Sequence, residues 1–386
     1  MQQFAFIVHP IDARRDVGRK YPLAKYMPVS LIEWYIQRKN PMVIAEIHGI
    51  RSKTGEEAQG WFIGCPLTPR QMLTLPLDFV SEKLEQCCAI AEREGAGILG
   101  LGAFTSIVGD GGISLSKKFP NLAITTGNSY TVATALEGSK QGAEMMGHVL
   151  SGARVAVVGA NGSIGATCAE VMAREAAELV LVGRDEAKIS ALAARLALSA
   201  KARISTSTDV ATGLKDADIV ITVTSAVDAV IMPEHIKRGA VVCDVARPRD
   251  VSVRVARERK DVLVIEGGVV AVPGKMTLPL TGKPGHQFSF GFPPGTAYAC
   301  MSETMALALE GRYESFTLGK DVSVAQVEEI SRLADKHGFQ LAGFRSFEKA
   351  VTAETIEQIR RNAKIADSVT RTGAARRAVP AAARED

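Results

Sequence analysis

Residues 154–165 read Arg-Val-Ala-Val-Val-Gly-Ala-Asn-Gly-Ser-Ile-Gly, and this stretch decides the fold. A run of apolar residues leads into Gly159, two more glycines follow at Gly162 and Gly165, and a helical pattern begins directly afterwards. In such a turn the first glycine permits the tight bend, the second lets the backbone approach a pyrophosphate, and the third lets the helix pack close to the strand. The stretch therefore predicts a dinucleotide-binding strand–turn–helix unit; the alternative is a tight turn that holds no ligand.

Apolar strands and helical segments alternate around this turn. Strands are predicted at residues 154–158, 179–182, 219–224, 240–245 and 262–265, and helices at residues 164–177, 186–198 and 233–236. Continuous apolar strands that alternate with helices form parallel sheets covered on both faces. We therefore predict an α/β fold with a Rossmann-type, doubly wound parallel sheet, accompanied by a smaller α/β substrate domain.

The domain organisation follows from the same patterns. Residues 1–125, with strands at 4–8 and 42–48 and a helix at 79–94, are predicted to form the substrate domain, and residues 126–275 the nucleotide-binding domain. In residues 276–350, a loop rich in glycine and proline precedes helices at 298–310 and 324–337, which we expect to close back on the substrate domain. Residues 363–386 are rich in alanine and arginine and lack apolar periodicity, which predicts a disordered tail.

Composition excludes several classes of protein. The 386 residues carry 46 Lys and Arg against 42 Asp and Glu, a net charge of +4, which does not indicate a nucleic-acid-binding protein. No stretch of about 18 apolar residues predicts a transmembrane helix. The six cysteines are scattered without metal-ligand spacing, which disfavours a metal site and a disulfide framework and makes a cytoplasmic location the default. Nothing in the sequence indicates an oligomeric state.

The glycine turn and two later strand ends supply the residues predicted to bind the dinucleotide: Gly159, Asn161, Gly162, Ser163, Ile164, Gly165, Arg184, Thr224 and Ser225. An acidic residue at the end of the second strand usually holds the ribose of NADH, but here Arg184 comes first. A guanidinium matches a 2′-phosphate in charge and in geometry, so NADPH is the predicted cofactor. The alternative is that Arg184 is solvated and Asp185 binds a ribose.

Cys300 is a candidate nucleophile. It falls in the first turn of the helix at 298–310, where the positive helix end should lower the thiol pKa, although a buried core cysteine is the simpler explanation. His286 is a candidate proton donor, unless it is merely a solvated loop histidine. A shikimate-type dehydrogenase would need a lysine and an aspartate in its substrate domain, yet residues 126–130 contain no acid, and residues 219–270 hold no Tyr-x-x-x-Lys of a short-chain dehydrogenase.

Six stretches resemble, in order along the chain, the long-chain acyl-[acyl-carrier-protein] reductases, aldehyde-forming, NADPH-dependent enzymes best known from cyanobacteria. They are residues 101–107 (LGAFTSI), 124–132 (ITTGNSYTV), 157–165 (VVGANGSIG), 266–270 (EGGVV), 298–311 (YACMSETMALALEG) and 337–341 (HGFQL). The resemblance is weaker before residue 100. Residues 1–30, the loop at 273–294 and the chain after 343 differ from the family, which leaves the acyl-chain length open.

The resemblance implies a covalent mechanism. Cys300 would attack an acyl thioester, and hydride from NADPH would reduce the acyl-enzyme to a fatty aldehyde. Candidates to line the cleft and stabilise the oxyanion are Phe104, Thr105, Ser106, Thr126 and Asn128. The alternatives are an NADP-dependent shikimate- or amino-acid-type dehydrogenase that forms no covalent intermediate, and a non-catalytic NADPH-binding protein.

The resemblance also implies a partner, an acidic acyl carrier protein or a CoA thioester, which would dock on basic residues. Two clusters are candidates, and solvated helical faces are the alternative for each: Arg14, Arg15, Arg19, Lys20 and Lys25, and Arg247, Arg249, Arg254, Arg257, Arg259 and Lys260. Apolar residues for an acyl groove, which core packing explains equally well, include Met72, Leu73, Leu75 and Leu77. Only weak membrane association, through an apolar product, is expected.

Overall fold

The structure, a computed structural model, describes residues 1–20 and 22–364, and for residues 19, 20 and 22 it describes the backbone alone. The strands are β1 (Gln2–Val8), β2 (Met42–Arg51), β3 (Glu57–Gly64), β4 (Ile98–Gly100), β5 (Ala123–Thr125), β6 (Arg154–Val158), β7 (Glu178–Val182), β8 (Arg203–Ser207), β9 (Ile219–Thr222), β10 (Val241–Asp244), β11 (Leu263–Glu266), β12 (Val269–Ala271), β13 (Gly274–Thr277), β14 (Thr296–Tyr298), β15 (Gln340–Leu341), β16 (Arg345–Ser346) and β17 (Lys349–Ala350).

The α-helices are α1 (Ala13–Lys20), α2 (Val29–Ile36), α3 (Pro69–Thr74), α4 (Leu77–Arg93), α5 (Ile113–Lys118), α6 (Asn128–Met145), α7 (Ser163–Glu175), α8 (Glu186–Ala197), α9 (Val210–Leu214), α10 (Val253–Glu258), α11 (Ala299–Leu309), α12 (Val324–His337) and α13 (Ala353–Ala363). Short 3₁₀ turns occur at Pro22–Tyr26, Ala103–Ser106, Leu150–Gly152 and Pro233–His235. Within the described ranges, no helix is long and apolar enough to cross a bilayer.

The second sheet in the chain carries the predicted Rossmann topology. Its six strands are all parallel and lie in the order β11-β10-β9-β6-β7-β8. The chain runs outward from β6 in one direction to β8 and then returns to build β9, β10 and β11 on the other side. The order therefore reverses between β6 and β9, and ligands of doubly wound sheets bind at such a switch point, outside the carboxyl ends of the strands.

The first sheet is mixed and has the order β13-β2-β3-β1-β4-β5. Strands β3, β1, β4 and β5 are parallel, β2 runs antiparallel to β3, and the edge strand β13 runs antiparallel to β2. Helix α4 covers this sheet with side chains spaced three and four residues apart, such as Val80, Leu84 and Ala91, all of them buried. The carboxyl ends of the four parallel strands share one edge, at which β5 leads into α6.

Two long helices join the sheets. Helix α6 packs against β9 and β10 of the Rossmann sheet and against α11, and α11 in turn packs against β1 and β4 of the first sheet. Nearly every residue of α11 is buried, Met305 through Leu309 among them. The amino ends of α6 and α11 therefore meet where the two sheets face each other.

The α/β class and the doubly wound sheet are confirmed, and most predicted strands and helices lie within two residues of their predicted ends. The elements that the sequence did not predict include β3, β8, α2 and α6. Strand β8 is a polar edge strand, and α6 carries Gly138 and Gly142 in its interior and is buried on several sides, so it shows no clear polar face. The predicted tail at 363–386 lies outside the described residues except for Ala363 and Lys364, which end α13.

Candidate active site

The glycine turn between β6 and α7 is built as the sequence predicts. Gly159 has φ +85°, and a Cβ there would lie 2.4 Å from the Val223 carbonyl oxygen. A Cβ on Gly165 would lie 2.3 Å from the Gly159 carbonyl oxygen, so helix α7 packs this closely on the turn only because both residues lack side chains. The backbone path is thus the one that leaves room for a pyrophosphate.

The start of α7 has the polar groups that a phosphate needs. The first N–H groups of a helix have no intrahelical partner, and they face the positive end of the helix dipole. The hydroxyl of Ser163, the first residue of α7, is buried and has no hydrogen-bond partner within the described chain. Asn161 is exposed in the turn, and its Nδ2 donates to the Asp185 carbonyl oxygen at 3.3 Å. These residues fit a dinucleotide pyrophosphate.

The end of β7 presents a cation that is unpaired within the described chain and a carboxylate that is already engaged. The Asp185 carboxylate caps α8 by accepting the Lys188 N–H at 3.1 Å, and it pairs with the Lys188 ammonium at 3.1 Å. The hydrogen bonds from Lys188 hold the pKa of Asp185 below its usual value. Arg184 is exposed and forms no hydrogen bond or ion pair with the described part of the chain. The cation is therefore available to a ligand, while the acid is already engaged.

Thr224 and Ser225 follow β9 at the switch point. The Thr224 hydroxyl donates to Asp250 at 2.5 Å, and its N–H donates to the same carboxylate at 2.8 Å. Thr222 donates to Asp250 as well, at 2.6 Å. Asp250 therefore fixes this strand end, and Ser225, which is exposed, is the residue of the pair whose hydroxyl is open to a ligand.

Cys300 is the second residue of α11 and lies against the start of α6. A Cβ on Gly127 would lie 2.3 Å from the Cys300 Cβ and 2.4 Å from its Cα, so the two helix ends touch through a residue without a side chain. Gly127 also has φ +75°, which glycine adopts readily. Of the six cysteines, only Cys300 is half-buried, and the other five are fully buried.

Glu303, one turn along α11, holds this junction together. Its carboxylate is fully buried and accepts hydrogen bonds from the hydroxyls of Thr125, Ser129 and Thr317 and from the Tyr130 N–H, at 2.5–3.0 Å. These donors come from the end of β5, the first turn of α6 and the segment after α11. A buried charge is tolerated only with such a set of partners. Glu303 is the main site residue that the sequence reading missed.

The prediction that Cys300 has a lowered pKa is wrong. Burial raises the pKa of the Cys300 thiol to about 12, and the Glu303 carboxylate adds to the rise. The Arg247 guanidinium and the first N–H groups of α11 act in the opposite direction but do not outweigh burial. The position at a helix end is as predicted, yet desolvation dominates the ionisation.

Arg247 and Tyr298 stand on the Rossmann side of Cys300. Arg247 follows β10, and its guanidinium lies 5.5 Å from the Tyr298 ring centroid. Burial disfavours the charged guanidinium, but Tyr298, Asp244 and Glu266 outweigh burial and raise the pKa of Arg247. Arg247 therefore brings a permanent positive charge to the helix end at Cys300.

Aromatic rings from the loop before β14 form one wall beside Tyr298. Phe290 stacks edge-on with Phe288 at 4.8 Å between centroids, and Phe292 with Tyr298 at 4.6 Å. Phe62 of β3 joins them at 5.3 Å from Phe290. Cys300 packs at the margin of the same apolar cluster. The predicted acyl-groove residues Leu73 and Leu77 are exposed.

The residues predicted to line the cleft and stabilise the oxyanion differ in whether their polar groups are already hydrogen-bonded. The hydroxyls of Thr105 and Ser106 donate to carbonyls of their own turn, at 2.8 and 2.7 Å, so their bonding capacity is used locally. Phe104 is fully buried, and Thr126 donates to Thr317 at 2.9 Å. Asn128 differs: it is half-buried, opens α6 next to Gly127, and its side chain has no partner within the described chain.

His286 lies in an exposed loop, and several residues of the two basic clusters form local ion pairs. His286 is exposed in its loop, with Nδ1 at 3.2 Å from the Pro284 carbonyl oxygen. In the second cluster, Arg259 is held by Asp261 and Arg254 by Glu258, so these side chains do not form one free basic face. In the first cluster, Arg15 pairs with Asp16 and Glu348; the side chains of residues 19 and 20 lie outside the description. No group of residues within the described ranges forms a metal site.

Comparison with known proteins gives distant relatives. The family pattern of shikimate / quinate 5-dehydrogenases matches residues 141–266. The chain is 29% identical over 371 residues to aminotransferase PigE of a Serratia strain; the match covers 93% of this chain, which spans only 42% of that relative. It is 25% identical over 349 residues to the long-chain acyl-[acyl-carrier-protein] reductase of Synechococcus elongatus, covering 87% of this chain and 98% of that enzyme.

Among solved structures, glutamyl-tRNA reductase from Methanopyrus kandleri matches with a TM-score of 0.29 and 16% identity. The match covers 60% of this chain and 43% of the chain of that reductase. The strand order, the glycine turn and the matched dehydrogenase pattern agree with one another. The chain therefore carries an NAD(P)-type Rossmann domain of the kind found in dehydrogenases and reductases, and over most of its length it is a distant relative of an acyl-[acyl-carrier-protein] reductase.

Proposed function

We propose that the protein uses NADPH to reduce a long-chain acyl thioester to a fatty aldehyde, through an acyl intermediate on Cys300. The carrier is an acyl carrier protein or CoA. The observation that carries this proposal is the placement of Cys300: a half-buried thiol at the joined amino ends of α6 and α11, beside an apolar ring cluster.

The first step transfers the acyl group. The Cys300 sulfur bonds to the thioester carbonyl carbon, the bond from that carbon to the carrier sulfur breaks, and the thiol proton ends on the departing carrier thiol. The step consumes no net proton, but a thiol whose pKa is raised to about 12 must give up its proton as the attack proceeds. Free N–H groups at the start of α6, the Asn128 amide and the Arg247 charge are the groups proposed to stabilise the tetrahedral oxyanion.

The second step is reductive. Bound NADPH supplies a hydride to the acyl carbonyl carbon. The chain's own residues hold the acyl group at the switch point of the Rossmann sheet, with the ring wall of Phe288, Phe290 and Tyr298 excluding water. The resulting hemithioacetal oxyanion re-forms a carbonyl as its carbon–sulfur bond breaks, and one proton taken up by the departing sulfur leaves the free aldehyde and the Cys300 thiol. The Tyr298 hydroxyl, on a ring that lies beside the Arg247 cation, is the proposed donor of that proton.

Intact-protein mass spectrometry tests the proposal. The full chain is mixed with a long-chain acyl carrier protein thioester, or with the CoA thioester, in the absence of NADPH. We expect a mass gain equal to the acyl group, which is lost on adding NADPH as aldehyde appears. Cys300→Ser should show no gain, whereas Cys65→Ala, at a fully buried cysteine, should behave as the wild type.

A dehydrogenase without covalent catalysis is the second candidate. It is favoured by the shikimate / quinate dehydrogenase pattern over residues 141–266 and by the raised pKa of Cys300. In that case no acyl adduct forms with either carrier, and Cys300→Ser retains NADP-dependent turnover of a hydroxy acid or an amino acid. A protein that binds NADPH but shows neither activity would be non-catalytic.

A further inference from the structure

Helix α2 carries two sets of apolar side chains, and only one of them is explained by packing. Ile32 and Ile36 point into a small core that α1, the 3₁₀ turn Pro22–Tyr26 and α2 form together. On the other side, Leu31, Trp34 and Tyr35 are 44%, 51% and 41% exposed. Their spacing of three and four residues places them on one stripe of the helix. A second apolar stripe on a short surface helix is unexpected unless something covers it.

The turn before α2 extends this exposed surface. Leu23 and Tyr26 are 78% and 88% exposed, more than any residue of the stripe. Thirteen consecutive residues therefore present five large apolar side chains to solvent. We call the set Leu23, Tyr26, Leu31, Trp34 and Tyr35 the α2 face.

Cations border the α2 face. The Arg38 guanidinium lies over the Trp34 ring at 4.0 Å, and the Lys39 ammonium lies over the Tyr35 ring at 4.4 Å. Lys25 is exposed within the 3₁₀ turn. Between residues 22 and 39 the sequence has one acid, Glu33, which is buried and paired with Arg70. The surface is thus both aromatic and positively charged.

The helical unit that carries the α2 face is linked through α1 to the segments that follow β10 and β16. Helix α1 follows the carboxyl end of β1, at the sheet edge that faces the Rossmann domain. Its Arg15 pairs with Glu348, between β16 and β17, at 3.1 Å. Glu348 also pairs at 3.0 Å with Arg249, in the segment that follows β10. The unit therefore contacts both halves of the molecule beside the candidate active site.

We propose that the α2 face docks on the interface of an anionic lipid bilayer. Helices that lie in the headgroup region of a bilayer have this composition: tryptophan, tyrosine and leucine on one stripe, with lysine and arginine at its border. An acidic protein partner would be bound chiefly by charges, whereas here five large apolar side chains outnumber three cations. The docking itself stands on the geometry; its use, to hand an apolar aldehyde to the membrane, rests on the proposed function.

Tryptophan fluorescence makes the surface directly observable. The chain has two tryptophans, so Trp61→Phe leaves Trp34 as the single reporter. We expect its emission to shift to the blue with vesicles of phosphatidylserine and phosphatidylcholine, and to be quenched by brominated acyl chains. Phosphatidylcholine alone should bind at least tenfold more weakly, and about 0.5 M salt should remove most of the difference.

Matched variants separate the apolar and charged contributions. Trp34→Ser with Tyr35→Ser should abolish co-sedimentation with the mixed vesicles, and Arg38→Gln with Lys39→Gln should weaken it roughly 25-fold, about fivefold for each cation. Leu198→Ser, at a residue 89% exposed after α8, and Lys201→Gln are the controls and should bind as the wild type.

Three results would overturn the proposal: no vesicle binding by the wild-type chain, equal binding to neutral and anionic vesicles, or vesicle binding that the α2-face variants leave intact. Self-association or carrier-protein binding that the same variants abolish, without vesicle binding, would assign the face to a protein partner instead. Acyl transfer measured in detergent-free solution with an acyl carrier protein distinguishes these failures from a failure of the proposed function, because that reaction needs no membrane.

Discussion

Replacing Gly127 with alanine should separate the amino ends of α6 and α11. The new Cβ would lie 2.3 Å from the Cys300 Cβ and 2.7 Å from its carbonyl oxygen, distances that real Cβ atoms do not show. The φ of +75° adds about 1–2 kcal/mol of strain for a residue with a side chain, and relief of the overlap costs about 1–3 kcal/mol more. We expect the free energy of unfolding to fall by about 2–5 kcal/mol.

Substitutions at two other glycines separate the backbone strain of a positive φ from the cost of the overlap with Cys300. Gly55, in the turn after β2, has φ +99° and nothing within 4 Å of a built Cβ, so Gly55→Ala reports strain alone. Gly152 has open space and no positive φ, so Gly152→Ala should be nearly neutral. Urea unfolding followed by circular dichroism measures all three variants. The excess loss in Gly127→Ala over Gly55→Ala is the contribution of the contact with Cys300.

The same variant also probes the chemistry. A displacement of about 1 Å at a reacting group lowers rates about a hundredfold, so acylation of Cys300 in Gly127→Ala should slow by about that factor under conditions where the variant is still folded. If Gly127→Ala unfolds at the same urea concentration as Gly55→Ala, and acylation proceeds at the wild-type rate, the close junction of the two helix ends is not a feature of the protein.

Three further perturbations address the cofactor, the cleft and the thiol. Arg184→Ala should raise the Kd for NADPH about 10- to 100-fold and leave the Kd for NADH unchanged, as measured by quenching of protein fluorescence. Burial raises the pKa of Asp244 from 3.8 to about 6. The stability that comes from keeping this carboxyl protonated in the fold is therefore fully present below about pH 4 and is lost as the pH rises through about 6. Relative to the wild type, the free energy of unfolding of Asp244→Asn should rise by about 3 kcal/mol across that window. Glu303→Gln removes a charge that raises the pKa of Cys300, so iodoacetamide should alkylate that thiol roughly tenfold faster at pH 8; an unchanged rate would contradict the coupling.

The parts of the fold that the sequence predicts are those whose cause is local. The glycine turn at 154–165 needs only its own glycines and the apolar strand before it, and it is found as expected. Strand β8 has no such local signal, because its side chains are polar and only its pairing with β7 makes it a strand. Helix α6 is missed for a related reason, since its packing against several neighbours removes the polar face that marks a surface helix.

In the candidate site, too, some properties of single residues follow from the local sequence and others depend on the folded surroundings. The position of Cys300 at a helix start follows from the local sequence, but its ionisation depends on what folding brings around it. Glu303 is only three residues away, yet its partners Thr125, Ser129 and Thr317 come from other elements. A local signal did exist, because an acid inside an otherwise apolar helix must find buried partners.

The raised pKa of Cys300 bears on why Arg247 stands where it does. A raised pKa keeps the Cys300 thiol protonated at pH 7, which should slow its chance alkylation and oxidation. Attack on a thioester develops negative charge on the carbonyl oxygen and discards a thiolate, and both are stabilised by a fixed cation in a site of low dielectric. Arg247, kept charged by Tyr298, Asp244 and Glu266, provides that cation without making the resting thiol reactive. Under the proposed mechanism, burial and charge would act at different moments: burial would keep the resting Cys300 thiol protonated, and Arg247 would stabilise the charge that forms when a thioester is attacked.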